Sequence, residues 1–322
     1  MSTTEKFLQM ILAIAIFVAL VAVILFVVGK IQGRRGDRAV SFAFVGPAVI
    51  LLLVGLVYPA LRTLLQSFQD AAGTAFIGLD NYKTIFSTPD EITVLRNTAI
   101  WVLLTPFLAT VVGLIYAVLI DRSPIEGLAK SLIFLPMAIS FVGASIIWKF
   151  VYEFRPEQKN VNQVGLLNQV LVWLGFAPKQ FLLDTPWNTV FLIIVMIWIQ
   201  AGFAMTVLSA AIKAIPDDII EAAKIDGVGG IRLFRYITVP SIRPTLVVVL
   251  TTIGIGTLKV FDIVRTMTGG QFDTQVVANE FYTQSFRASN QGLGAALAVV
   301  LFVLVIPIVV YNVRQMRASE AR

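Results

Sequence analysis

The chain alternates long apolar runs with polar, turn-rich segments. Each apolar run is at least twenty residues long, and about 20 residues suffice for a helix to cross the hydrocarbon core of a bilayer. The first run, residues 7–28, would form a helix about 33 Å long at ~1.5 Å per residue. The pattern predicts an all-α integral membrane protein with about seven transmembrane helices. Their predicted bounds are residues 7–28, 42–65, 97–120, 131–152, 187–212, 245–264 and 292–313.

The first apolar run has two interpretations. A cleaved signal peptide is disfavoured because the run is long, Glu5 and Lys6 nearly cancel, and no A-x-A-like site follows. The next segment, GKIQGRRGDR, is strongly basic, which is typical of a flank that stays in the cytoplasm. We therefore expect a membrane helix whose N-terminus lies outside.

The basic residues assign a side to each polar segment. With the N-terminus outside, the cytoplasmic segments are 29–41, 121–130, 213–244 and 314–322. They hold 14 Lys and Arg in 64 residues, against 11 in the 111 residues of the opposite side. This is the asymmetry that the positive-inside rule requires. On the outer side, residues 165–174 are amphipathic, which predicts a helix lying at the membrane interface.

Composition narrows the function classes. The chain of 322 residues is 57% hydrophobic and 14% charged, whereas a soluble domain carries about 25% charge. Cysteine and histidine are both absent, so disulfides, thiolate nucleophiles and imidazole bases or metal ligands are excluded. The net charge of +6 belongs to segments beside the spans, where it meets anionic lipid. A nucleic acid partner is not expected, because no basic stripe with interleaved aromatics occurs.

The cytoplasmic segment 213–244 has an unusual shape. Pro216 suits the first turn of a helix, and Gly227 suits the left-handed turn that ends one. A second helix is expected from about Gly230 to a stop at Pro240, with Ile231, Phe234 and Ile237 on one face. Asp226 would lie at a helix C-terminus, where the helix dipole disfavours a negative charge. We therefore expect a cation beside it, from Arg232, Arg235 or a partner protein.

Two functions suit this segment. An amphipathic loop resting on the membrane surface would explain its apolar face and its basic residues. Docking in the groove of a partner would also explain the two small residues after Glu221 and the tight Asp-Gly turn, because small side chains permit close approach.

A set of positions in the segment forms a recognisable pattern. They are Glu221, Ala222, Ala223, Asp226, Gly227, Phe234, Ile237 and Pro240. The pattern resembles the EAA motif of ABC importer permeases, in particular the binding-protein-dependent sugar class that includes relatives of the larger maltose-type subunit. Val228 and Gly229 depart from the usual Ala and a larger residue.

Other stretches are similar to the same class. They are GLDNY at 78–82 with LRNT at 95–98, VFD at 260–262 and TGG at 268–270, where Gln271 replaces a common third glycine. The resemblance covers residues 42–316 and implies a six-span permease core with the coupling loop 213–244. Residues 1–41 would then be an additional N-terminal helix with its basic link, and 317–322 a cytoplasmic tail.

The resemblance implies a mechanism and a set of partners. The two helices around Gly227 would dock in a cleft of a cytoplasmic ABC ATPase dimer and transmit its closure to the spans. A second permease subunit, in a heterodimer, and an extracytoplasmic sugar-binding protein would complete the importer. This chain would have no catalytic residue, no metal and no cofactor of its own. It lacks a G-x-x-x-x-G-K-[ST] phosphate-binding loop, so ATP hydrolysis is not expected here. ATP and Mg²⁺ would bind to the ATPase.

Polar and aromatic residues inside the spans are candidates for the substrate path, because they are costly in lipid and should face a cavity. The candidates are Trp198, Gln200, Phe203, Thr257, Lys259 and Asp262. Rough alignment with the maltose-type subunit places Gln200, Phe203, Thr257 and Lys259 near its sugar-facing positions. Packing is the alternative role for Trp148 and Trp198. Lys259 and Asp262 have the alternative of pairing with each other near the outer end of their span.

The predicted function is import of a sugar or oligosaccharide, with an α-glucoside as one candidate. One alternative is a permease of the amino acid or phosphate class of ABC importers. Another is an ion-coupled secondary transporter, which would need buried acids at mid-membrane and inverted repeats. A membrane enzyme is the weakest alternative, because His, Cys and paired intramembrane carboxylates are all lacking.

Overall fold

The computed structural model describes residues 3–30, 45–121, 123–156 and 165–320. These residues form helices and connecting loops, with one isolated β-bridge between Gln69 and Phe76. The predicted all-α fold class is therefore confirmed for the described residues. The chain divides into two compact units, residues 1–65 and 66–322. The predicted boundary at residues 41–42 lies outside the described residues.

The first unit contains α1, Thr3–Lys30, and most of α2, Val45–Gln66. Helix α1 is continuous and includes the predicted span 7–28. Helix α2 contains a π-helical turn at Leu53–Val57, where Tyr58 N–H donates to the carbonyl of Leu53. Pro59 explains the turn, because its ring has no N–H and would clash with the carbonyl four residues earlier.

The second unit contains twelve helices within the described residues. They are α3 Asp80–Ser87, α4 Pro89–Ile120, α5 Glu126–Phe134, α6 Phe141–Val151, α7 Leu166–Trp173, α8 Trp187–Lys213, α9 Asp217–Ile225, α10 Gly230–Ser241, α11 Arg243–Leu258, α12 Asp262–Met267, α13 Val277–Tyr282 and α14 Gln291–Glu320. The predicted amphipathic helix at 165–174 is confirmed as α7.

Small residues let the long helices of this unit approach closely. A Cβ at Gly113 of α4 would lie 2.4 Å from Ala204 Cβ of α8. A Cβ at Gly202 of α8 would lie 2.5 Å from the carbonyl oxygen of Ile133 in α5. Such close backbone packing holds helices together in lipid, where hydrophobic burial contributes little. Helix α8 therefore packs closely against both α4 and α5.

Four helices of the described residues are long and apolar enough to cross a membrane. They are Val45–Gln66, Pro89–Ile120, Trp187–Lys213 and Gln291–Gln315. Two further candidates are bent pairs: Glu126–Ala138 with Phe141–Val151, at 103°, and Gly230–Ser241 with Arg243–Leu258, at 70°. The structure thus gives four to six candidate spans where about seven were predicted.

Two predicted spans differ from the structure. The span 131–152 was wrong as a single helix. Pro136 lies in a 3₁₀ turn, Leu135–Ala138, and Ser140 Oγ accepts from Gly143 N–H at 3.1 Å to cap the new helix α6. The span 245–264 was also wrong at its outer end, because α11 stops at Leu258 and the chain turns before α12 begins.

Asparagine side chains organise loops that connect the helices. Asn81 Nδ2 donates to the carbonyls of Ser67 and Gln69 at 2.9 and 2.8 Å. Asn97 Nδ2 donates to the carbonyls of Asp273 and Gln275 at 2.6 and 3.0 Å. These bonds give a structural role to two of the motifs quoted above, GLDNY and LRNT, because each motif ties a loop to the end of a helix.

Candidate functional site

The turn between α9 and α10 has a fixed geometry. Helix α9 ends at Asp226, and Gly227 has a φ of +76°. Val228 N–H donates to the carbonyl of Ala223 at 2.8 Å, and Gly227 N–H donates to that of Lys224 at 3.0 Å. This pair of bonds is the Schellman motif, in which glycine takes the left-handed position. The predicted left-handed turn at Gly227 is confirmed.

Helix α10 does not stop at Pro240 as predicted. A π-helical turn at Phe234–Thr238 precedes the proline, and Val239 N–H donates to the carbonyl of Phe234. The wider turn removes the clash that a proline causes in a regular helix. The helix continues to Ser241, and the chain bends by 70° before α11.

One side of α9 and the bend after α10 are buried against the long helices. Ile215 and Ile242 belong to one apolar core with residues of α4 and α8, and Ile220 of α9 packs against it. The segment is therefore attached to the membrane helices by packing as well as by the chain. Of the two motif alanines, Ala223 is buried and Ala222 is exposed.

The opposite side of the segment is exposed. Glu221, Ala222, Asp226 and Gly227 all lie on this surface. Ile225 beside them is 87% exposed, and Ile231 on α10 is 77% exposed. Phe234 and Ile237 are half-buried, so Ile231 does not share their face as predicted. We define the coupling element as residues 217–241, whose tip carries exposed apolar and acidic side chains together.

Asp226 is exposed at the C-terminus of α9. Among the described residues, it forms no ion pair with Arg232 or Arg235. The intramolecular alternative for its compensating cation is therefore not found. A cation from a partner protein stays a prediction.

A cleft of about 610 Å³ lies behind the tip, between α9, α10 and the ends of α4 and α8. Phe234 lines it, together with the charged residues Asp121, Lys213, Asp217 and Lys224. Ile215 and Ile220 also line the cleft, so it lies directly beside the apolar core.

Three of the predicted substrate-path residues lie on α8. Trp198 packs edge-on against Trp148, with ring centroids 5.7 Å apart. Phe203 packs against the apolar core that also holds Ile215. Gln200 is half-buried, and a Cβ at Gly256 of α11 would lie 3.9 Å from its Nε2. The structure thus gives Trp198 and Phe203 packing roles and places Gln200 between α8 and α11.

The other three lie near the outer end of α11. Thr257 is fully buried, and its hydroxyl donates to the carbonyl of Ile253 at 2.8 Å. Lys259 and Asp262 line a cavity of about 250 Å³ with Phe141 and Phe261. They flank the break between α11 and α12 and form no ion pair with each other among the described residues. The structure therefore brings only Lys259 and Asp262 of the six to one cavity.

Two groups of polar residues were not predicted from the sequence. Asn168 and Asn188 hold outer loops by bonds to backbone groups. Asp121, Glu126 and Lys213 meet near the start of the coupling element. In the sequence, each of these residues is visible only as a polar residue near the end of a predicted helix. Such residues are too common for the sequence to predict their contacts.

Comparison with known proteins agrees with this arrangement. A family model described as "Binding-protein-dependent transport system inner membrane component" matches residues 94–317. The chain belongs to this family. It is therefore a multi-pass membrane component of a transport system, and its matched region contains the coupling element.

Relatives within the family are permease subunits. The osmoprotective compounds uptake permease protein GgtC of Synechocystis sp. is 46% identical over 277 residues, which are 86% of this chain and 99% of that protein. The alpha-glucoside transport system permease protein AglF of Rhizobium meliloti is 46% identical over 282 residues, which are 87% of this chain and 83% of that protein.

A solved structure has the same fold. A bacterial ABC transporter involved in the import of the acidic polysaccharide alginate matches with a TM-score of 0.72 and 24% identity. The match covers 86% of this chain and 94% of that chain. It supports the helical architecture of the family component described above.

Proposed function

We propose that the chain is a permease subunit of an ATP-driven ABC importer for a sugar or oligosaccharide, and that an α-glucoside is its substrate. The observation that carries the proposal is the family membership together with 46% identity to the alpha-glucoside permease protein over 87% of this chain. A lactose transport system permease protein of Rhizobium radiobacter, 30% identical, also supports the sugar class.

The coupling element would receive the motion of a cytoplasmic ATPase dimer. Its tip presents exposed apolar side chains beside Glu221 and Asp226, which suits a groove that offers apolar surface and cations. The Schellman turn fixes the element internally, and Ile220 packs it against the core of the long helices, so it would move as a rigid body joined to them. A rigid body of this kind transmits displacement without absorbing it. ATP and Mg²⁺ would bind only to the ATPase.

The importer would contain further subunits. A second permease would complete the translocation path as a heterodimer. A binding protein would deliver the sugar from outside, as in the alginate transporter solved with its alginate pentasaccharide-bound periplasmic protein. Seven spans, counting α1, would place the N-terminus outside and the coupling element in the cytoplasm, in agreement with the basic residues.

The test is uptake by the complete complex in proteoliposomes. It should import a radiolabelled α-glucoside such as trehalose or sucrose only with ATP and binding protein, and ionophores should not reduce the rate. Uptake driven by an ion gradient without ATP would exclude an ABC importer. Import of phosphate or amino acids in place of sugars would move the chain to another importer class.

Two substitutions test the coupling role within that assay. Glu221→Lys and Gly227→Pro should leave membrane insertion intact and abolish uptake, because each alters the tip or the turn of the coupling element. Asp218→Lys changes an exposed acid of the same helix outside the motif, and it serves as the charge control. Gly175→Pro strains an equivalent left-handed glycine, φ +82°, after α7. Uptake that survived both motif substitutions would contradict the coupling role.

A second substrate class has its own support. The osmoprotective compounds permease protein matches along 99% of its length with the same 46% identity. This class would be favoured if the complex imported a labelled non-sugar osmoprotectant such as glycine betaine and unlabelled trehalose did not inhibit that import.

A further inference from the structure

Four charged side chains and one hydroxyl form a connected network beside the coupling element. Lys213 Nζ lies 2.5 Å from Glu126 Oε1 and 3.4 Å from Asp121 Oδ1. Lys130 Nζ lies 2.7 Å from the same Glu126 oxygen and 2.5 Å from Ser209 Oγ. We call Asp121, Glu126, Lys130, Lys213 and Ser209 the Lys213 network.

The network joins the end of α8 to two neighbouring elements, the end of α4 and the start of α5, that lie far from it in sequence. Asp121 directly follows α4, Glu126 and Lys130 belong to α5, and Ser209 and Lys213 belong to the last turns of α8. Lys213 is the last residue of α8, and α9 begins four residues later. Between them, Ile215 is buried in the apolar core. The network therefore lies where the coupling element joins the membrane helices.

The network is partly shielded from water. The side-chain exposures of Asp121, Glu126 and Lys130 are 12%, 24% and 24%, and that of Lys213 is 48%. An isolated, exposed ion pair contributes about 0–1 kcal/mol, but linked pairs in partial burial hold their geometry more firmly. Two acids and two bases also balance in charge, so no unpaired charge is left inside the network.

Backbone packing makes the same connection. Gly202 of α8 lies so close to α5 that an added Cβ would be 2.5 Å from the carbonyl oxygen of Ile133 and 2.9 Å from Phe134 Cα. Helix α5 is thus fixed to α8 at its C-terminal end by packing and at its N-terminal end by Glu126 and Lys130. Its continuation α6 lies at 103° to it across the 3₁₀ turn.

We propose that Lys213 is a positioning residue that makes α5 move together with the coupling element. In this arrangement a displacement of α9 reaches α5 through Lys213 and Glu126, and the bend between α5 and α6 takes up the change. The inference rests on the proposed function, because it assigns a path to the motion that the ATPase would deliver.

The chain offers a clean way to measure this motion, because it has no native cysteine. Two pairs of spin labels are attached in the complete complex. The first pair, Gly127→Cys with Asp218→Cys, reports the distance between α5 and α9. The second pair, Gly127→Cys with Phe150→Cys, reports the distance between α5 and α6. All three positions are exposed. Distances are measured by pulsed electron resonance without nucleotide and after trapping with ATP and vanadate.

In the chain without further substitutions, trapping should leave the 127–218 distance unchanged and shift the 127–150 distance. In Lys213→Met, the distribution of 127–218 distances should broaden and shift on trapping, and the shift of the 127–150 distance should be lost. Lys213→Arg keeps a cation that reaches both carboxylates, so it should behave like the labelled chain that keeps Lys213. Lys83→Met removes an exposed ion pair on α3, 2.7 Å long, and should change neither distance.

Each contrary outcome has a definite meaning. A Lys213→Met complex whose 127–218 distance stays fixed, or whose 127–150 distance still shifts, would overturn the positioning role. If Lys213→Met fails to assemble, Glu126→Gln keeps the shape of the side chain and is measured in its place. If no nucleotide-dependent shift occurs even in the labelled chain without these substitutions and no ATPase co-purifies, the proposed function itself fails, and this inference with it.

Discussion

At the scale of single residues, Asn97 shows how a polar side chain can stabilise a connecting loop of this membrane protein. It is buried, and both hydrogens of its amide are used by the carbonyls of Asp273 and Gln275. The neighbouring Thr98 hydroxyl accepts from Val277 N–H at 2.9 Å. The outer end of α4 therefore holds the loop that leads into α13.

Replacing Asn97 with Ala should destabilise the protein measurably. The carbonyls of Asp273 and Gln275 would both lose a donor, and each hydrogen bond lost costs about 0.5–1.5 kcal/mol. The midpoint of thermal unfolding in detergent should fall by several degrees. Thr93→Ala on the same helix removes only a bond to the carbonyl of Pro89 in its own first turn, so it should have little effect. Equal midpoints for the two variants would contradict the role of Asn97.

Asp70 gives the outer loop 66–79 a pH dependence. Its carboxylate accepts from Ala75 N–H at 3.1 Å and from Thr74 N–H at 2.7 Å, and these bonds lower its pKa below the usual value. A lowered pKa means that the bonds stabilise the loop above the unfolded-state pKa and are lost as the pH falls through the folded-state pKa.

Amide exchange should follow that sign. The protection of Thr74 and Ala75 relative to the intrinsic rates should be constant from neutral pH down to about pH 4 and fall below it. Asp70→Asn should remove the dependence, whereas Asp80→Asn, on the exposed first turn of α3, should preserve it. Protection that is lost only above neutral pH would contradict the assignment.

At the scale of elements, the sequence predicts helix type more reliably than helix bounds. The span 187–212 corresponds to α8 within one residue, because apolar residues fill it and no proline interrupts it. The span 131–152 failed at Pro136, which the apolar pattern could not distinguish from a proline that lipid-exposed helices tolerate. Whether a helix breaks at a proline depends on whether the carbonyls that lose their donor find another one. That depends on how the helix packs against its neighbours.

The prediction of one shared face for Ile231, Phe234 and Ile237 failed for a related reason. The π-helical turn at Phe234–Thr238 adds a residue to the helix, so a period of 3.6 residues cannot be continued across it. Pro240, which causes the turn, is visible in the sequence. The sequence does not show that the helix accommodates this proline by a π-helical turn. The left-handed turn at Gly227 was predictable because only glycine takes that position without strain.

Helix α7 should lie in the outer interface of the bilayer. Asn168 fixes it through hydrogen bonds to the backbone of Glu153 and Lys179. Trp173, its last residue, is 74% exposed, and Phe176 in the following loop is 61% exposed. Residues 165–178 contain no charged side chain, which suits the headgroup boundary.

Spin labels on single cysteines test the position of α7. In nanodiscs, a label at Trp173→Cys or Phe176→Cys should be relaxed more strongly by oxygen, which concentrates in lipid, than by a water-soluble nickel chelate. A label at Lys179→Cys should show the reverse order. Nickel accessibility at 173 equal to that at 179 would place α7 in water.

At the scale of the whole molecule, composition and the basic-residue asymmetry predict a multi-pass protein and a side for each loop. They cannot predict how the spans divide into straight and bent helices. Of the substrate-path candidates, only Lys259 and Asp262 meet at one cavity, because side-chain orientation depends on helix rotation. The coupling element was predictable as a unit because its glycine, prolines and acidic residues follow each other in one short segment.

The orientation of the molecule can be measured with the same single-cysteine approach. In intact cells, a membrane-impermeant maleimide should label Thr3→Cys and Lys179→Cys from outside. Ile225→Cys should be labelled only after the membrane is opened, because the coupling element would lie in the cytoplasm. Labelling of Thr3→Cys only after opening would mean that α1 has the opposite orientation and that the span count is even.

The bend of 103° between α5 and α6 has a mechanical consequence. Because the two helices are nearly perpendicular, a displacement along the axis of α5 would carry the start of α6 mostly sideways. The angle at the bend would then change, in agreement with a shift between positions 127 and 150. A straight helix in this position would only slide.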